Sequence, residues 1–215
     1  MSIVLVGATS GSVTLQEPAV AGTTVLTLPT TSGTVLTSAS AISASSITTG
    51  TLPKAQLPTG SVLQVVSTTK SDTFSVTGGG GGAFFDITGL AVTITPTSST
   101  SKILIFVNLS CSSSNTGEHL NARVVRGSST LVGSGDAIGS RNQAMWAHGI
   151  TNTSNNAKVF AAQYLDSPST TSATTYKVQG YNSSATFYLN RTEAWSDTNH
   201  YSTGASTITV MEIAG

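Results

Sequence analysis

From residue 61 to its end the chain repeatedly alternates apolar and polar residues with a period of two, and this pattern confines it to β-structure. In STITVMEIA, Ile208 and Val210 flank Thr209; in TTYKVQGY, Tyr176 and Val178 are set against Lys177 and Gln179. Successive residues of a strand point to opposite faces, so such a run buries one face and wets the other. Further strand-like runs are SVLQVVST, DTFSV, FFDI, AVTITP, KILIFVNLSC, HLNARVVR, STLVG, QAMWAHGI, KVFAAQYLD and ATFYLNR, separated by turn-forming residues. No stretch combines a helical period with helix-forming residues. Roughly ten short strands in succession predict a β-sandwich head, residues 59 to 215, of jelly-roll type.

The first 58 residues differ. Residues 1 to 53 contain one charged side chain, Glu17, and no aromatic. Aromatic rings supply the largest buried areas, so this segment cannot build a compact core alone. Short β-favouring runs nevertheless follow Gly11, Gly22 and Gly33 at a spacing of eleven. Beyond them Ile42, Ile47, Leu52 and Leu57 recur every five residues among small side chains, and Pro53 and Pro58 prevent a continuous helix. The reading is an extended β stalk and neck, intertwined with sister chains, whose core holds Val13, Leu15, Val25, Leu28, Val35, Ile42, Ile47, Leu52 and Leu57. The alternative is a flexible Ser/Thr linker, which would not need the recurring aliphatics. The expected whole is all-β: an extended intertwined stalk, then a jelly-roll-like sandwich.

Charge narrows the function. Only 8% of residues are charged, nine basic against nine acidic, for a net charge of zero. A nucleic-acid binder concentrates Lys and Arg on one surface. Here the nearest pair, Arg123 and Arg126, is three residues apart on a strand-like run and points to opposite faces. A neutral, charge-poor chain is also poorly protected against association, which suits permanent assembly. The single cysteine, Cys111, excludes an internal disulfide and any Cys-x-x-Cys metal site, and in KILIFVNLSC it is expected to fill space. No apolar run is long enough to span a bilayer, and MSIVLVGATSG lacks a basic leader region, so neither membrane insertion nor secretion is expected. The sequons at Asn152, Asn182 and Asn190 would matter only in a secreted eukaryotic protein.

Catalytic chemistry is not expected. His119, His148 and His200 have no second ligand at metal spacing, and the nine carboxylates form no glycosidase-like pair on one strand. The five glycines 78–82 lack the Lys-Ser/Thr ending and the helix of a phosphate loop. No cofactor and no metal are expected, although Asp197 and Asn199 in one turn could face a cation. Glu193 and Asp197 beside Trp195 are the best carboxylate cluster for the least favoured reading, a glycan-degrading spike tip. Binding is better supported: Arg141, Trp146, Trp195, Asp197, His200 and Tyr201 fall in or beside loops and combine aromatic with polar groups. Trp146, between Met145 and Ala147, reads better as a residue of the core or of a subunit interface, whereas Trp195 reads equally as packing or as binding.

GSVTLQEPAVAGTTVLTLPTTSGTVLT resembles the N-terminal repeats of tail fibre and virion structural proteins of marine phages, cyanophages especially. TLPKAQLPTGSVLQVVSTTKSDTFS and FFDITGLAVTITPTSSTSKILIFVNLS are similar to head modules of the same proteins, and YLDSPSTTSATTYKV and STITVMEI extend the likeness over nearly the whole chain. The resemblance implies a virion location, a homotrimer, contact with other virion proteins through the N-terminal segment, and attachment to a host surface glycan or protein. It brings no catalytic residues. Family fibres are usually much longer, so a head fibre or capsid decoration protein stands as the alternative.

Overall fold

The computed structural model describes residues 3–6, 9, 12–15, 52–77, 82–115, 119–149 and 157–215. The chain divides into two units, residues 1–51 and 52–215. In the first, β1 (Ile3–Val6) pairs antiparallel with β2 (Ser12–Leu15), Ile3 opposite Leu15 and Val6 opposite Ser12. The remainder of that unit, and with it most of the expected stalk, lies outside the described residues.

The second unit opens with a short 3-10 turn, Lys54–Gln56. Eleven strands follow: β3 (Val62–Lys70), β4 (Phe74–Val76), β5 (Phe85–Ile94), β6 (Lys102–Ser113), β7 (His119–Arg126), β8 (Thr130–Val132), β9 (Trp146–Gly149), β10 (Lys158–Asp166), β11 (Thr174–Tyr181), β12 (Phe187–Leu189) and β13 (Ser206–Ile213). They form two antiparallel sheets. In the first, β6 carries β10 on one edge and β12 and β13 end to end on the other; these pair in turn with β4 and β3. In the second the order is β5-β11-β7, with β8 and β9 sharing the far edge of β7. The chain crosses between the sheets from β4 to β5, β5 to β6, β6 to β7, β9 to β10, β10 to β11 and β11 to β12. That alternation is the jelly-roll order the strand pattern predicts.

The period-two pattern decides which residues meet between the sheets. Ile103, Ile105, Val107, Leu109 and Cys111 point inward from β6 and Ile208 and Val210 from β13; they meet Ile87, Val92 and Ile94 of β5, Leu120 and Val124 of β7, and Tyr176 and Val178 of β11. Each fully buried aliphatic of this kind contributes about 1.5–3 kcal/mol relative to exposure. Burial also pushes the Cys111 thiol far up, so it stays protonated and inert. FFDI and AVTITP, which read as separate strands, are one: Gly89 takes φ 84° and a bulge between Lys177 and Gln179 absorbs the slip in register.

Two polar clusters pin the sandwich. The fully buried Tyr176 hydroxyl donates to Asp166 Oδ2 at 2.7 Å, and Arg126 Nη1 donates to the same oxygen at 2.7 Å. Glu212, also fully buried, accepts from Gln64 Nε2 at 2.6 Å, Thr97 N at 2.6 Å, Thr97 Oγ1 at 2.7 Å and Ser101 Oγ at 2.7 Å. Burial opposes its charge, but these donors outweigh it and hold the carboxyl below its ordinary range. The cluster ties the β5–β6 turn to β13 and β3.

Candidate binding loop

β12 and β13 would be one strand but for an interruption. Against β6, Leu189 lies opposite Cys111 and Thr207 opposite Asn108. On β6 only Leu109 and Ser110 separate these pairings, whereas on the facing chain residues 190–206 do. The excess leaves the sheet as a loop over residues 191–205.

Asn190 and Ser206 form its neck, and both are fully buried. The Asn190 N–H donates to Ser110 O at 2.8 Å and Gly204 N–H returns to Asn190 O at 2.9 Å. Asn190 Nδ2 donates across the sheet to Lys70 O at 2.8 Å and Asp72 O at 2.9 Å, where β3 breaks before β4. The Ser110 N–H donates to Ser206 Oγ at 3.1 Å. Asn190 has φ 62°, a left-handed conformation that asparagine tolerates better than most residues.

Inside the loop the Arg191 guanidinium stands 4.3 Å from the Tyr188 ring centroid and 5.4 Å from that of Trp195. Its Nε donates to Thr192 O at 3.1 Å and its Nη2 to Glu193 O at 3.3 Å, while Ser112 Oγ donates to Arg191 O at 2.8 Å. A cation over an aromatic face is attracted by about 0.5–2 kcal/mol. Trp195, in contact with Arg191, keeps 44% of its surface in solvent. Asp197 and His200 are exposed and Tyr201 is half-buried. Ser110, Ala157, Thr192, His200, Tyr201 and Gly204 line an open depression of about 580 Å³ beside the loop. A second depression of about 440 Å³, lined by Phe106, Asn108, Ala161, Gln163 and Thr207, lies next to it. Phe106, Asn108 and Ser110 are successive outward residues of β6, so both lie on the outer face of the first sheet.

Four of the six residues expected to touch a receptor, Trp195, Asp197, His200 and Tyr201, thus belong to one loop. Arg141 is exposed on the segment joining β8 to β9 in the other sheet. Trp146 is half-buried, packs against the core and pairs opposite Ala122. Of the expected stalk residues, Val13 and Leu15 lie opposite Leu5 and Ile3 in the β1–β2 hairpin, and Val25, Leu28, Val35, Ile42 and Ile47 lie outside the described residues. Leu52 is exposed; Leu57 lines a depression with Leu63 and Ala214. The residues that sequence reasoning passed over are Tyr188 and Arg191; the aromatic three positions before a cation at the end of ATFYLNR was the available signal. Among the described residues no three His, Cys, Asp or Glu side chains gather as a metal site.

No family model matches the chain. No curated protein matches it either. Among solved structures it is similar to VP2 in the infectious bursal disease virus subviral particle, at a TM-score of 0.38 and 14% identity, over 71% of this chain and 37% of that one. The structure of the infectious bursal disease virus Gx strain gives a TM-score of 0.37 and 16% identity, over 71% and 36%. The chain therefore spans little more than a third of the length of these matches, and a likeness so distant bears on neither function nor descent.

Proposed function

We propose that this chain is a structural and adhesive subunit of a bacteriophage particle, a short homotrimeric fibre. Its first 58 or so residues anchor it to other virion proteins, and its sandwich head meets a glycan or protein of the host surface. The observation that carries the reading is the loop 191–205: a rigid buried neck presents Trp195, His200 and Tyr201 beside an open depression. A ring already restrained by contact with Arg191 loses less freedom on binding, so a modest contact retains more of its energy. Repetition over several heads then converts weak contacts into firm attachment. The mechanism is binding without chemistry.

The test is the affinity of the purified full chain for host cells, together with its position on intact particles seen by immunogold microscopy. Adhesion requires cell binding that drops at least tenfold in Trp195→Ala/Tyr201→Ala. Binding to undecorated capsids with no affinity for cells would replace it with capsid decoration.

A further inference from the structure

The outer face of the first sheet carries an apolar row across all four of its long strands. Leu165 of β10 lies opposite Leu104 of β6, Leu104 opposite Met211 of β13, and Met211 opposite Val65 of β3. Val62 and Ile213 extend the row at one end and Phe106 flanks it. Leu165 is 49%, Val65 54% and Val62 51% exposed. The neighbouring outward positions are Gln163, Thr209, Ser67, Ala161, Asn108, Thr207 and Thr69; the one charge on the four strands' outward positions is Lys102, at the corner beside Ile213. β10 itself, an edge strand of this sheet, has no proline and no charge between Lys158 and Asp166. An apolar row on a face with one peripheral charge, beside an unguarded edge, is what soluble monomers avoid.

We propose that this face, centred on Leu104, Phe106, Leu165, Met211 and Val65, is buried against a second copy of this chain. Its size suits that occupant. Four strands about 4.8 Å apart and about eight residues long give a face of roughly 20 by 25 Å. With the relief of its side chains, that approaches the ~800 Å² each partner buries in a stable interface. Its electrostatics suit it too. A face with no carboxylate and a single peripheral lysine meets its own copy without like-charge repulsion, whereas a charged partner would leave its charges desolvated and unpaired. Sheets packed face to face about 10 Å apart would interdigitate these side chains. The loop 191–205, at the other end of the face, stays free. A face that meets its own copy joins heads in pairs rather than threes, so the inference goes beyond the proposed trimer and rests on neither its stalk nor its host contact.

Two measurements on the full chain decide it. Val65→Glu/Leu165→Glu places two carboxylates at exposed positions, where the fold tolerates them. Its mass by sedimentation equilibrium should fall relative to the unaltered chain, with an association constant weakened at least tenfold. Separately, because Cys111 is fully buried, Leu165→Cys and Ser172→Cys each provide a sole accessible thiol. Leu165→Cys should react with a maleimide at least tenfold more slowly than Ser172→Cys in the associated state, and equally fast on dilution to monomers. An unchanged mass in the double-Glu variant, or equal labelling rates at all concentrations, overturns the proposal. Host-cell affinity is read separately, so its failure would strike the adhesive reading alone.

Discussion

The Ser206 hydroxyl donates to Asn190 Oδ1 at 2.6 Å, closing a loop of fifteen residues at a fully buried neck. The same asparagine donates to two carbonyls of the neighbouring strand break, at Lys70 and Asp72. A side chain that the sequence marks only as part of a sequon is therefore the joint between two strands and the loop they carry.

Replacing Asn190 by alanine removes these bonds, leaves the Ser206 hydroxyl and two carbonyls short of partners, and strains the backbone at φ 62°. A cost of about 2–4 kcal/mol follows. For a unit of this size the melting temperature should fall by roughly 5–15 °C in calorimetry. Asn190→Gly relieves the strain alone and should fall between the two. A loss below 2 °C for the alanine variant would show that the neck does not hold the loop.

Glu212 makes stability depend on pH. Its folded carboxyl titrates below the ordinary glutamate value. Its contribution is thus fully present above the unfolded pKa, near 4.3, and disappears as pH falls through the lower folded value. Melting curves taken from pH 7 to pH 3 should show that acid loss, and Glu212→Gln should flatten it. The variant should also be less stable at pH 7, because its amide nitrogen would face the donor of Gln64. Identical acid profiles for both proteins would refute this account.

Gly89→Ala tests the bulge. Its added Cβ meets nothing closer than Lys70 Nζ at 3.5 Å, so space is available and backbone strain remains. The expected cost is about 1–2 kcal/mol, which urea titration would read as a lower midpoint with an unchanged slope.

Trp195→Ala should leave stability within about 1 kcal/mol, since nearly half of the ring is already exposed. Arg191→Ala should release the ring, and the indole fluorescence anisotropy should drop even though Trp195 itself is intact. An unchanged anisotropy would mean that Arg191 does not hold the ring.

The sequence by itself determined the fold class and the core. Period-two alternation in STITVMEI or KILIFVNLSC assigns each side chain to a face, and a face of Ile, Val and Leu has to be covered; the sandwich follows from local pattern and the hydrophobic effect. It also located most of the loop, since TEAWSDTNHY has no alternation to bury it. What only the tertiary structure decided depends on contacts between residues far apart in the chain. Asn190 and Glu212 gain their roles from Lys70, Asp72, Thr97 and Ser101, more than a hundred positions away. Gly89 joins two runs that local signals separate, at the slip where the pairing of β5 with β11 passes from Ala91 to Asp86. The apolar row from Leu165 to Val65 takes one or two ordinary residues from each of four strands, and becomes a surface only when register aligns them. No local pattern encodes such a row, because each of its members is, within its own strand, a permissible outward residue.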